Sequence, residues 1–312
     1  RFTYGHYCKN HFAECTYHIH WDKDILKQMF GFAGWNFIGA ASSVLRDQGG
    51  NIVINIFFGP AVNAARGIAI QVNVAVTGFV NNFMTALNPQ ITKSYASGDK
   101  EYMMTLIYQG ARFSFYLLLF LSLPILVNTH YILVLWLKIL PNYAVLFVQL
   151  TLCFALSESV SQPLITAMLA TGNIKRYQII VGGLQLMNLP ISYMFLKMGF
   201  PPQCVLIIAI VISQLCLIAR LYLLRNMIGI SFIRFMRKVY LNVTVVTMCS
   251  IIIPIIVSQR LSESFSSFVV LTIIVVICTI LSILFIGCNF KERYLIKEQV
   301  HKLKQRISKS KI

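Results

Sequence analysis

Charged and amide side chains recur inside stretches that are otherwise apolar, at the spacing of a helix face. Ser43, Asp47, Asn51 and Asn55 repeat every four residues, with Arg46 beside Asp47. Arg66, Asn73, Thr77, Asn81, Thr85 and Asn88 advance in steps of three, four and seven. Glu158, Gln162 and Thr166 form a third series, again at four. Residues three or four apart share one side of a helix, so each series is a polar stripe. Guanidinium, carboxylate and amide groups are expensive at bilayer depth unless they face a water-filled cavity or a partner. Three such stripes on separate helices imply a wet central cavity lined by cationic and amide groups. Two other readings stay open: Arg46 pairs with Asp47 or another carboxylate between helices, or an arginine such as Arg66, near its helix start, snorkels to the interface.

Other chemistry is weaker. Residues 1–24 hold His6, His11, His18, His20, Cys8 and Cys15. These residue types bind zinc, but neither a C-x2-C pair nor a C2H2 spacing is present, so the stretch reads as a cytoplasmic linker without a metal. No P-loop, nucleophile elbow or metal-ligand cluster appears, so an enzyme is not expected. Transport driven by ATP would need a separate subunit.

The elements that must position the stripes follow from composition. Of 312 residues 57% are hydrophobic and 12% charged, against about 25% charged in a soluble domain. The formal charge of +17 has no zinc-finger, RRM or helix-turn-helix pattern beside it, and nucleic acid is not an expected partner. Six of the eight cysteines lie in or beside apolar runs, where a free thiol behaves as a small hydrophobe. The chain starts at Arg1 with no secretory leader, and is expected to lack upstream sequence.

Apolar runs of bilayer length, about 20 residues each, define an all-α integral membrane fold with eight expected spans. They cover roughly 26–58, 61–92, 103–127, 143–170, 177–197, 203–224, 240–258 and 267–288. Gly59-Pro60 divides the first two, and proline suits a helix start, where its missing N–H is no loss. Pro89 either kinks the second span or marks its exit. Segment 131–140 is too short to cross and suits an interfacial helix, as does the basic, amphipathic segment 226–239. The tail 289–312 places Ile296, Val300, Leu303 and Ile307 on one face among Lys and Arg, fitting an anionic leaflet surface or a solvated tail.

Basic residues set the expected orientation. Twenty-one of the 27 Lys and Arg fall in the N-terminal stretch, the even-numbered connections and the tail. Three lie on the other side, and Arg46, Arg66 and Arg112 lie within helices. The positive-inside rule then puts both ends in the cytoplasm, as an even span count requires.

Two runs carry a family resemblance: FGFAGWNFIGAASSVLRDQGGNIVINIFFGPAVNAARGIAIQV and NNFMTALNPQITKSYASGDKEYMMTLIYQGAR. With SESVSQPLITAMLATGNIKRYQ and GLQLMNLPISYMFLKMG downstream, the chain resembles the bacterial polysaccharide exporters. That family holds the O-antigen and capsular repeat-unit flippases of the multidrug/oligosaccharidyl-lipid/polysaccharide exporter superfamily. The resemblance implies a second six-helix lobe (25–226) after a linker (1–24), two additional helices (227–288, led by an interfacial helix) and a basic tail (289–312). The first lobe would be the missing partner. It also implies flipping of an undecaprenyl-pyrophosphate-linked oligosaccharide from the cytoplasmic to the periplasmic leaflet of the inner membrane. In that setting Arg46 and Arg66 are candidates for the pyrophosphate. Asn51, Asn73, Thr77, Asn81 and Gln162 are candidates for sugar hydroxyls, and Asp47 and Glu158 for a coupling proton or sodium ion. No other cofactor is implied. Rival readings are a multidrug or peptidoglycan-precursor exporter of the same superfamily, a membrane polymerase (disfavoured by outward loops of only about a dozen residues), and a fragment inactive without its first lobe.

Overall fold

The computed structural model describes residues 2–12, 15, 21–260, 264–290, 292–294 and 297–298. The chain is all-helical among the described residues, in the order α1 (Phe2–His11), α2 (Lys23–Ala96), α3 (Lys100–Val127) and α4 (Thr129–Leu137). There follow α5 (Ala144–Ala170), α6 (Lys175–Lys197), α7 (Cys204–Ile228), α8 (Phe232–Ser258) and α9 (Phe265–Gly287). Among the described residues seven helices, α2, α3 and α5–α9, are long and apolar enough to cross a membrane. This is an all-α membrane protein.

Helix α2 needs closer attention, because 74 residues laid straight would run about 110 Å, against a hydrocarbon core of about 30 Å. It is not straight. Gly59 takes φ 77° and ψ −179°, a conformation that a side chain disfavours, and Pro60 next to it has no N–H to donate. Beyond the break, Arg66 Nη2 donates to the backbone oxygen of Asp47 at 3.4 Å. Nineteen residues of unbroken helix would separate them by about 28 Å. The two arms therefore double back on each other at the Gly59-Pro60 step expected from the sequence.

Local signals fix the other ends. Asp22 caps α2, accepting from the N–H groups of Asp24 and Ile25 at 2.9 and 3.1 Å, and Asp99 caps α3 through Tyr102 N at 3.0 Å. Such caps satisfy the orphan donors of a first turn. Segment 226–239 is not a separate interfacial helix. Its first residues finish α7, Gly229 at φ 79° ends that helix, and residues from Phe232 run into α8 through a π-turn at Met236–Tyr240. The physical reason is the left-handed C-cap, which stops one helix and lets Ser231 start the next by accepting from Arg234 N. Segment 131–140 corresponds to the short α4. The tail residues Ile296, Val300, Leu303 and Ile307 lie outside the described residues.

Two apolar layers are stacked along the bundle. One gathers Val80 and Met84 of α2, Leu118 and Leu119 of α3, Leu152 and Leu156 of α5, and Val205 of α7. The other gathers Ile91, Ile107, Leu164, Ile212 and Leu221 of the same helices, with Phe235 of α8. Between them runs a belt of polar groups. Ser157, Glu158, Ser213 and Gln214 are linked by hydrogen bonds, with Tyr240 donating to Gln214.

Candidate functional site

The polar belt opens into a cavity of about 260 Å³ between the first arm of α2, α5, α6 and α7. Its polar lining comprises Asn36, Ser43 and Arg46 from α2, Glu158 and Gln162 from α5, Tyr177, Gln178 and Gln185 from α6, and Arg220 from α7.

Small residues let these helices come close. On α2, a Cβ at Gly39 would collide with the Gln178 side chain, and one at Gly49 with Leu189. On α6, one at Gly182 would meet Ser42 Oγ at 3.1 Å. Small residues at such crossings allow the backbones to approach in a lipid environment. Ser43 Oγ then donates to Gln185 Oε1 at 2.9 Å, joining the two helices. Helix α6 carries a π-turn at Gln178–Gly182, a distortion frequent at functional sites, and three of its five residues line the cavity.

Helix α5 is interrupted at the same level. Its regular parts are Ala144–Ser159 and Gln162–Ala170, with Val160 and Ser161 between them. Pro163 lacks the N–H that would continue the ladder. Glu158 and Gln162 flank this break. The Glu158 carboxylate accepts from Ser213 Oγ at 2.6 Å and lies within Coulombic reach of both Arg46 and Arg220.

Arg220 is the most informative of these side chains. It is only 1% exposed and hydrogen-bonds the Tyr177 side chain, yet its Nε and Nη1 have no hydrogen-bond acceptor. Buried donors are normally paired, and an unpaired one costs about 1–3 kcal/mol, more when charged. Two donors of a buried guanidinium thus stand open at the wall of a polar cavity. The positive-inside count assigns Arg220 to the connection between the sixth and seventh expected spans. The structure corrects this: Arg220 lies eight residues before the end of α7, on the buried face with Ser213, Cys216, Leu217 and Leu224. That helical spacing was the available signal. Gln178 and Gln185, seven apart on α6, were missed likewise.

The expected stripes are only partly brought together. Ser43, Arg46, Glu158 and Gln162 converge. Arg46 lies over the Phe154 ring at 5.1 Å from its centroid and pairs with Asp47 at 2.8 Å, so cavity lining and local pairing both hold for it. Asp47 itself is 59% exposed and turns outward. Asn51 bonds Gln48 at 3.1 Å.

Arg66 does not reach the cavity. It is buried against Gly50, where a Cβ would sit 2.7 Å from Nη1, and it ties the two arms of α2 together. Thr77 bonds back to the Asn73 backbone oxygen, and Asn81 is exposed. Asn73, Thr77 and Asn81 thus stand apart from the cavity because the fold-back at Gly59 points the second arm elsewhere. Asn88 of that stripe reaches the third, accepting from Thr166 Oγ1 at 2.7 Å.

The N-terminal His and Cys residues show no metal arrangement among the described residues. His6 meets Asn10, and His11 meets Tyr7 O and stacks on the Tyr7 ring. His18 and His20 lie outside the described residues. Comparisons with family models, with curated proteins and with solved structures find no match.

Proposed function

We propose that this chain is a carrier lobe that passes the headgroup of an anionic, sugar-bearing lipid across the bilayer by alternating access. The best-fitting cargo is an undecaprenyl-pyrophosphate-linked oligosaccharide moved from the cytoplasmic to the periplasmic leaflet for O-antigen or capsule assembly. The observation that carries the reading is Arg220: buried, with two donors unpartnered, at a polar cavity beside Arg46 and Glu158. Planar guanidinium groups suit phosphate oxygens. Gln162, Gln178 and Gln185 supply the amide groups that sugar hydroxyls need. The interruption of α5 at this level parallels the broken helices on which carriers build midplane sites.

Counting the arms of α2 separately gives eight crossings, and with the positive-inside rule both ends then lie in the cytoplasm. The outer face of α2 supports a second lobe opposite. Asp47, Gln48, Asn55, Asn81, Asn82 and Thr85 are all exposed on it, and such groups belong against water or another protein body rather than lipid.

The test is export of surface polysaccharide by the full-length protein in a strain lacking it. Replacing Arg46 and Arg220 together by Gln should abolish export while membrane levels stay normal. Normal export in that double variant would sink the proposal. A parallel drug-resistance assay separates a multidrug exporter, which would confer resistance without restoring polysaccharide.

A further inference from the structure

A second cavity, of about 760 Å³, lies away from the first, between the start of α3, the start of α8 and the end of α9. Its wall holds Arg112, Arg234, Arg237 and Lys238, with Glu292 the acidic group facing them. Glu292 is already committed. Its Oε1 accepts from Arg112 Nη2 at 2.5 Å and from Gln109 Nε2 at 3.1 Å, and its Oε2 from the N–H of Asn289 at 2.8 Å. Arg112 and Glu292 cancel, and among the described residues no carboxylate forms an ion pair with Arg234, Arg237 or Lys238, although Lys238 Nζ lies over the Tyr108 ring at 5.8 Å from its centroid. Glu101 lines the adjoining 380 Å³ recess beside Arg234 and Lys238, but it stands next to Lys100 there. Arg112 is 5% exposed, and its Nε has no acceptor.

Arg234 and Lys238 at the start of α8, and Leu241 and Val245 beyond its π-turn at Met236–Tyr240, are all exposed. Leu241 is 59% exposed and Val245 39% exposed. Phe285, on the neighbouring end of α9, is 67% exposed. The exposed surface of α8 therefore runs from cationic at the helix start to apolar further in, the polarity order of a phospholipid with its phosphate at the membrane rim. Basic pockets between membrane helices hold anionic headgroups on this principle.

We propose that this cavity is a binding site for the phosphate of an anionic phospholipid, whose acyl chains lie along α8 and α9. The site does not depend on the carrier reading above, since it shares no residue with the first cavity. An apolar flank favours a lipid over free phosphate, which needs only the charges.

The experiment is native mass spectrometry of the purified full chain with phosphatidylglycerol, phosphatidylcholine or inorganic pyrophosphate. The outcome expected is retention of phosphatidylglycerol over phosphatidylcholine, with no displacement by millimolar pyrophosphate. Each charge removed should weaken retention about fivefold, and the Arg234→Gln, Arg237→Gln, Lys238→Gln triple variant about a hundredfold. Equal retention of both lipids, or undiminished retention by the triple variant, overturns the proposal. Displacement by pyrophosphate overturns its lipid part. Arg237→Gln alone, read for the fivefold loss, serves if the triple variant does not fold.

Discussion

Three buried arginines have different fates, and the difference is who answers their donors. Arg112 is answered by Glu292 and the Gly287 carbonyl. Arg112→Met leaves that carboxylate buried and unpaired, which should destabilise the fold by about 3–5 kcal/mol. Thermal unfolding in detergent will read this as a clear fall in Tm. Arg66 has one long bond to a backbone oxygen and one unpartnered nitrogen. Arg66→Met removes a desolvated charge and keeps the volume, so the same assay should show Tm unchanged or raised. Arg220 meets Tyr177 and lies near Glu158 but keeps two donors open, and on the proposed carrier function Arg220→Gln should remove transport with little change in Tm. Outside the spans, burial pushes the Cys288 thiol up, with Glu292 adding to it. Alkylation at pH 8 should therefore modify exposed Cys15 well before Cys288, measured by peptide mapping.

At the scale of the helices, breaks matter as much as lengths. Gly59 was legible in the sequence because Gly-Pro between two apolar runs is a strong stop, and its positive φ accounts for the glycine. Gly59→Ala should cost about 1–3 kcal/mol, because positive φ with ψ near 180° is essentially open only to glycine, visible as a lower Tm. The interruption of α5 was not legible. Gln162-Pro163 follows the polar stretch Ser157–Ser161 within one segment of span length, and proline at a helix start looks the same in sequence as proline in a helix interior. Pro163→Ala lets the ladder close across Val160 and Ser161. It should stabilise α5 and slow export, seen as a raised Tm beside reduced polysaccharide. The span limits were readable because hydrophobic runs of bilayer length dominate the chain. The cavity was only half readable. Stripe periodicity found Ser43, Arg46, Glu158 and Gln162, but no single-helix pattern says which stripes face each other. That depended on close approaches at Gly39, Gly49 and Gly182, which are tertiary.

For the whole molecule, two apolar layers with a polar belt between them make a bundle whose middle is polar. The account rests on that middle being reached by water when the protein sits in a bilayer. The direct measurement uses a chain with its eight native cysteines replaced and a single new one introduced by Gln162→Cys. The comparison chain carries Ile207→Cys, on the outward face of α7, where Ile207 is 48% exposed. A small, charged, membrane-impermeant thiol reagent applied to both in membranes should modify position 162 at least tenfold faster, and Arg220→Gln should leave that rate largely intact. Equal and slow modification of both positions would contradict the hydrated cavity and the transport reading built on it.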